Sequence, residues 1–254
     1  MDITFEHIFR LGNVVFESNL YRQIHYPEML TRYDSNFIEF KKIPTLSEFK
    51  SAEGYLRSFH LKHGQNHVKF YFPENEKPLG ELIDYLNHSG YKIGFLELYT
   101  IQPNQFPIVQ ENPDIEIYPV TDKNLETFLK YQYQQDLEYG SEFANQKQQL
   151  HKRNFENPNI LQLLATYKGK PAGSVDIIIA KNTVEIDGLV VDENFQKKGI
   201  GSRLQKFAME QFFNKTIILV ADGEDTPRDM YRKQNYQYHG FKYHVNKVYI
   251  PESN

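Results

Sequence analysis

Val190-Val191-Asp192-Glu193-Asn194-Phe195-Gln196-Lys197-Lys198-Gly199-Ile200-Gly201-Ser202 is the stretch on which the fold of this 254-residue chain turns. It joins the end of a hydrophobic strand to the start of a helix through a loop with two glycines and no carboxylate after Glu193. The first turn of a helix has backbone N–H groups without intrahelical acceptors and carries the positive end of the macrodipole, so successive donors can converge on one anion. Glycine at 199 and 201 lets a ligand approach the main chain, and Lys197 and Lys198 add positive charge. A pyrophosphate suits such a loop. The helix behind it, read as Gly201–Phe213, turns Leu204, Phe207, Ala208 and Phe212 toward a core that anchors it.

Two common phosphate-binding patterns do not fit. A P-loop places Lys-Ser or Lys-Thr directly after its last glycine, whereas Ser202-Arg203 follows Gly201. A dinucleotide fingerprint needs a third glycine where Leu204 stands and a tight turn directly after the strand. The long loop from Asp192 to Lys198 does not supply that turn.

Working outward, three antiparallel strands precede the loop: Ile160–Tyr167, Gly173–Ala180 and Thr183–Val191, joined by turns at Lys168-Gly169 and Lys181-Asn182. A short strand, Ile115–Tyr118, and a helix, Asn124–Glu138, come before them, the helix carrying Leu125, Phe128, Leu129 and Gln132 along one face. After the loop helix come a strand at Thr216–Val220, a helix at Thr226–Gln234 and a last strand from Gly240 to Ile250. In the first half, Phe37–Ile43, His67–Phe72 and Tyr91–Ile101 read as strands, with helices at Ser47–His63 and Lys77–His88. Between the halves, Pro103, Pro107 and Pro113 deny the backbone the donors and torsions of a regular element. The chain therefore divides into a first unit, 1–102, a linker, 103–114, and a second unit, 115–254.

Composition narrows the function classes. With 40% hydrophobic and 24% charged residues the chain can bury two ordinary cores. A formal net charge of −4 without a long run of one sign excludes nucleic acid or a membrane surface as the main partner. The absence of cysteine excludes disulfides, thiolate metal sites and cysteine nucleophiles. The N-terminus lacks a cationic segment followed by an apolar run, and no apolar stretch approaches a membrane span, so the expected compartment is the cytoplasm.

Gln196-Lys197-Lys198-Gly199-Ile200-Gly201, preceded by Leu189-Val190-Val191, resembles the central motif of the GNAT superfamily of N-acetyltransferases: Gln or Arg, two residues, Gly, one residue, then Gly or Ala. Met230-Tyr231-Arg232-Lys233-Gln234-Asn235-Tyr236 is similar to that family's last block, with Asn235-Tyr236 in place of the usual Gly-Phe. The resemblance covers about residues 113–250. It implies an α+β fold with a mixed, mostly antiparallel central sheet flanked by helices, here as two tandem domains. It also implies acetyl-CoA as co-substrate and no metal. By that analogy the backbone of Leu189, Val190 and Val191 pairs with the pantetheine arm, while Gln196, Lys197, Lys198, Gly199, Ile200, Gly201 and Ser202 hold the pyrophosphate.

An amine attacking a thioester must lose a proton, its tetrahedral oxygen must be stabilised, and the departing thiolate benefits from protonation. Tyr231, at the family's tyrosine position, can supply that last proton, since a phenol near pKa ~10 stays protonated at neutral pH; a ring packed against the sheet is the alternative. Glu185 and Asp187 alternate along one strand and share a face, so either can accept the amine proton through water, or each can be a solvated carboxylate. The oxyanion donor falls to a main-chain N–H near Val190 or Val191.

The first half echoes the second. His67 to Ile101 runs strand, helix, strand, as does Thr216 to Tyr249, and aligning Gly90 with Asn235 sets Leu86 against Tyr231. Without a Gln-x-x-Gly-x-Gly sequence this half reads as a degenerate GNAT-like copy that walls the acceptor groove or forms a homodimer contact, an unrelated α/β domain being the other reading. His60, His63 and His67 are expected at the surface rather than on a metal, because Gly64 breaks the helix between them. Asp136, Glu138 and Glu142 are expected as a solvated helix end, the other reading being a negative rim that favours a cationic amine. The leading expectation is acetyl transfer to a primary amine of a small molecule in a ternary complex. A protein lysine or N-terminal acetyltransferase and a non-catalytic CoA-binding regulatory module are the alternatives.

Overall fold

The computed structural model describes residues 2–224 and 227–249. The first half contains β1 (Asn13–Glu17), β2 (Tyr21–His25), β3 (Phe37–Phe40), α1 (Leu46–Lys62), β4 (His67–Glu74), α2 (Glu81–His88) and β5 (Lys92–Ile101). The second contains β6 (Ile115–Pro119), α3 (Leu125–Asp136), α4 (Ser141–Glu156), β7 (Ile160–Tyr167), β8 (Lys170–Ile179), β9 (Thr183–Val191), α5 (Ile200–Gln211), β10 (Thr216–Asp222), α6 (Pro227–Lys233) and β11 (Gln237–Val248). The boundaries of β7 and β9 coincide with those read from the sequence. Thr226 and Ile250, assigned there to a helix and a strand, lie outside the described residues.

All the strands join one sheet in the order β1-β2-β3-β4-β11-β5-β10-β9-β8-β7-β6. The fold is α+β, the sheet being antiparallel except for β3 against β4 and β9 against β10. At its centre the halves exchange strands. β5 pairs with β10 as well as β11, and β11 pairs with β4 as well as β5. Tyr99 and Ile101 of β5 accordingly belong to the second half's core, with Leu163, Leu204 and Ile217. Val245 of β11 belongs to the first half's core, with Phe49, Phe70 and Leu86.

The internal repeat is visible in the helix ends. Gly90 and Asn235 both have left-handed backbones, φ 76° and 67°. Each follows a helix closed by the same six-residue hydrogen bond, from Tyr91 N–H to the Leu86 carbonyl (3.2 Å) and from Tyr236 N–H to the Tyr231 carbonyl (3.0 Å). These pairs fall at the spacing that the sequence alignment sets. The structure is consistent with a degenerate copy.

Two sequence expectations change. His60 and His67 are core residues, 0% and 1% exposed, with rings 4.6 Å apart. Burial pushes their imidazoles down to about 4 and about 3, so both are neutral at pH 7. His63 is exposed, and Gly64 with φ 74° does end the helix. Asp136 is buried rather than on a rim, bound by Lys147 (2.8 Å) and His151 (3.3 Å). No cluster of metal-ligating side chains forms, and no helix is long and apolar enough to cross a membrane, among the described residues.

The exchange makes each half's sheet incomplete alone. Fragments 1–102 and 103–254 produced separately should lack a cooperative thermal transition, because each is missing a strand from its own core. Co-expression should restore a 1:1 complex that melts like the intact chain. A separate fragment with the intact chain's melting curve would contradict the interdependence.

Candidate active site

β9 is built to separate from its neighbour. Its parallel pairing with β10 covers only Thr183, Val184 and Glu185, opposite Thr216, Ile217 and Ile218. Beyond that, β10 continues along β5 while β9 continues along β8, and among the described residues the backbone of Ile186–Val191 has no strand on its β10 side. β9 also carries a bulge. Val190 pairs with Ser174 and Asp187 with Asp176, so Gly188 and Leu189 together face Val175. Gly188 takes φ 59°, a left-handed torsion that suits glycine.

The extra residue inverts the alternation of the strand. Before it, Val184 and Ile186 face the core under α5, while Glu185 and Asp187 line a cavity on the opposite face. After it, Leu189 and Val191 pack toward α5, and Val190 packs toward Phe128 of α3. Gly173 of β8 allows the close approach that this needs, since a Cβ there would lie 2.9 Å from the Val190 carbonyl oxygen and 3.1 Å from Ile200.

The glycine loop ends β9 with the turn Glu193–Phe195, where Asp192 accepts from Asn194 N–H at 2.9 Å. Gln196, Lys197, Lys198 and Gly199 are exposed, and Lys197 and Gly199 take φ 61° and 88°. Gly199 is the N-cap of α5 and gives it no side-chain cap, so no side chain of that residue competes for the donors of the first turn. Ile200 is 1% exposed, its side chain in the core and only its backbone at the loop. The Gln234 amide donates to Ser202 Oγ at 3.2 Å, which ties α6 to the first turn of α5. Tyr231, on the same short helix, is buried among Tyr99 and Tyr236, with ring centroids 5.7 and 5.4 Å away. Burial pushes its phenol up to about 12.

Across the sheet lies a cavity of about 380 Å³ bounded by both halves. Phe5 and Ile8 to Leu11 line it, and Phe9 N–H donates to Glu185 Oε2 at 2.7 Å. Burial, then the Asp187 charge, pushes the Glu185 carboxyl up to about 8 despite that hydrogen bond. Asp176, the cross-strand partner of Asp187, is likewise raised by burial, although the Asn154 (2.9 Å) and Gln162 (3.3 Å) amides donate to it. The structure therefore brings Glu185 and Asp187 together, as their spacing requires, and adds Asp176. A lone aspartate in the apolar run Val175-Asp176-Ile177-Ile178-Ile179 was the available signal for it. Tyr231 and the glycine loop lie on the α5 side of the sheet, and the carboxylates on the cavity side, with the β9–β10 gap between.

Residues 124–236 match the model of the acetyltransferase (GNAT) family, and residues 3–99 match a domain of unknown function (DUF5613). A solved structure of a functionally unknown conserved protein from Staphylococcus epidermidis ATCC 12228 is 34% identical, with a TM-score of 0.89 over 98% of each chain. A GCN5-related N-acetyltransferase from Kribbella flavida is 14% identical, with a TM-score of 0.62 over 96% of this chain and 91% of that one. A tandem GNAT protein from the clavulanic acid biosynthesis pathway is 8% identical, with a TM-score of 0.53 over 92% of this chain and 79% of that one. The last two likenesses concern the fold. The chain matches no curated protein.

The raised Glu185 carboxyl has a consequence for stability. Its folded value of about 8 lies above the ordinary 4.5, so folding favours the protonated form. The stability this contributes is complete below pH 4.5 and is lost as pH rises through 8, on the order of 5 kcal/mol in total. Glu185→Gln mimics the protonated acid. Its unfolding free energy in urea should therefore gain on the wild type between pH 5 and 8 and level off above. Parallel pH curves would show that Glu185 is ionised in the folded protein at neutral pH.

Proposed function

The chain belongs to the same family as the Staphylococcus epidermidis protein and its second half to the acetyltransferase (GNAT) family, and on that premise we propose that it transfers an acetyl group from acetyl-CoA to a primary amine of a small molecule. The observation that carries this is the conjunction at β9. An uncapped helix N-terminus stands at one end of a strand with a free side, and a buried carboxylate of raised pKa stands at the other. The backbone N–H groups from Gly199 to Ser202 suit the pyrophosphate, with Lys197 and Lys198 beside it. The free side of Leu189–Val191 suits the pantetheine arm, which leads the thioester to the gap facing Glu185 and Asp187.

The amine loses its proton, directly or through water, to Glu185 in its ionised form, the minor form at neutral pH and the major one above pH 8; that carboxylate is a stronger base than an ordinary one. The amine nitrogen then bonds to the thioester carbon. A main-chain N–H near Val190 or Val191 holds the tetrahedral oxygen, the C–S bond breaks, and Tyr231 gives its hydroxyl proton to the departing sulfur. An amide and free CoA result: the remaining N–H proton of the adduct returns through water to the Tyr231 phenolate, and Glu185 releases the proton it took to solvent. The cavity favours a small acceptor over a polypeptide, because its volume is at the lower end for ligand sites. Acetyl-CoA should bind with a stoichiometry near one by calorimetry, and Gly201→Asp should abolish binding, because its carboxylate would repel the diphosphate. Unchanged affinity in the folded variant would move the site elsewhere.

Tyr231→Phe keeps the ring against Tyr99 and Tyr236 and removes only the proton donor. The turnover number should fall about 10²-fold, while the acetyl-CoA dissociation constant changes much less. Wild-type turnover in the folded variant would leave this tyrosine as core packing.

A further inference from the structure

The cavity beside Glu185 has walls of opposite character once its internal pairs are set aside. Of the cations that line it, Arg10 donates to Glu39 at 2.7 Å, Lys242 is bound to the same carboxylate, and Lys147 donates to Asp136 at 2.8 Å. Arg32 differs. Its guanidinium makes no hydrogen bond or ion pair among the described residues, and its Nε is sealed from solvent without a partner. Asp34 is the nearby acid, and the Arg32 charge helps to hold its carboxyl below the ordinary value, but its Oδ1 takes Lys69 and the Tyr71 hydroxyl and neither of its oxygens hydrogen-bonds to Arg32. A buried donor left unpaired is costly, and a guanidinium is the side chain best shaped to hold a carboxylate by two parallel hydrogen bonds.

The wall formed by β8 and β9 is the reverse. Asp176, Glu185 and Asp187 line it, and within this wall no cation pairs with any of them. Glu185 Oε1 accepts no hydrogen bond, and neither does the Asp187 carboxylate, among the described residues. A ligand that satisfies both walls carries an anion at one end and an ammonium at the other.

We propose that the acceptor is an amino-carboxylate, a small zwitterion whose carboxylate docks on Arg32 while its amine is presented to Glu185 and Asp187. This rests on the reading of the site as an acetyltransferase but narrows it to one substrate class, and it gives the first half a specific task. The first half supplies the Arg32 clamp that positions the acceptor, and the second half supplies the acetyl donor. Arg32 is conserved in role only by a planar, bidentate donor, so lysine is an imperfect replacement.

The test compares glycine, β-alanine, 4-aminobutanoate, 6-aminohexanoate, alanine and glutamate with alkylamines of matching length. CoA release reports transfer, and thermal shift without acetyl-CoA reports binding. The best amino-carboxylate should exceed its alkylamine by at least about 10-fold in kcat/KM and should alone raise the melting temperature. Arg32→Gln should erase that preference through KM, by about 10- to 100-fold, the range of a charge-assisted hydrogen bond, with Arg32→Lys between the two. CoA release from alkylamines with no preference for the carboxylate would overturn the proposal and leave the acetyltransferase reading standing. Arg32-dependent stabilisation by an amino-carboxylate without CoA release would do the opposite. An equal loss in Arg32→Gln for both classes, or no response to any zwitterion, would also reject the clamp.

Discussion

The antiparallel pairing of β5 with β11 is the constraint from which the rest of the molecule follows. Each strand is the last of its own half and lies inside the other half's sheet, from Lys92 opposite Asn246 to Thr100 opposite Gln237. A backbone ladder with both edges occupied leaves no unsatisfied strand at the seam, and each strand carries side chains into the neighbouring core. The cavity is built on this seam, since Leu96 of β5, Val220 of β10 and Lys242 of β11 all border it. Its shape is therefore set by main-chain hydrogen bonds between the halves rather than by a hinge that could open.

A second layer of constraint is ionic. Glu39, 5% exposed, accepts from Arg10, Arg22 and Lys242, which come from the N-terminal segment, β2 and β11. Burial alone would raise this carboxyl, but Lys242 and Arg10 overcome it and hold it below the ordinary value. A buried charge is tolerable only when its partners are complete, and completing them fixes three separate segments at one point. One of these segments continues to Phe9, whose N–H reaches Glu185. Glu185 is thus held in place by a peptide that the first half anchors.

The second half was legible because its signals are local. The loop from Gln196 to Ser202 has a spacing with a physical meaning, and β7 and β9 are apolar-rich runs bounded by turns of ordinary chemistry. α4 was missed because only Ala144, Leu150 and His151 of its residues are buried, too few for a helical period to stand out. β1 was missed for a related reason: its residues are exposed throughout, so Val14, Val15 and Phe16 show no alternation. Glu185 and Asp187 could be placed on one face by counting, whereas the bulge at Gly188 that changes the parity beyond them could not. Arg32 carries no sequence signal. Its importance arises from what the fold leaves unpaired around it.

The difference between the halves can be argued from one pair of helix ends. β3-α1-β4 and β9-α5-β10 are equivalent units, each two parallel strands joined through a helix that follows the first. At α5 the cap is Gly199, without a side chain, and the loop before it is exposed and carries Lys197 and Lys198. At α1 the cap is Thr45, whose hydroxyl accepts from Glu48 N–H at 3.2 Å, while the Glu48 carboxylate accepts from Thr45 N–H at 2.8 Å. This capping box uses donors that an anion would need and places a negative charge in the first turn. A diphosphate arriving there would meet an occupied and repelling helix end. The first half therefore differs by more than the absence of a glycine motif: the helix end equivalent to that of α5 is closed by its own Thr45 and Glu48.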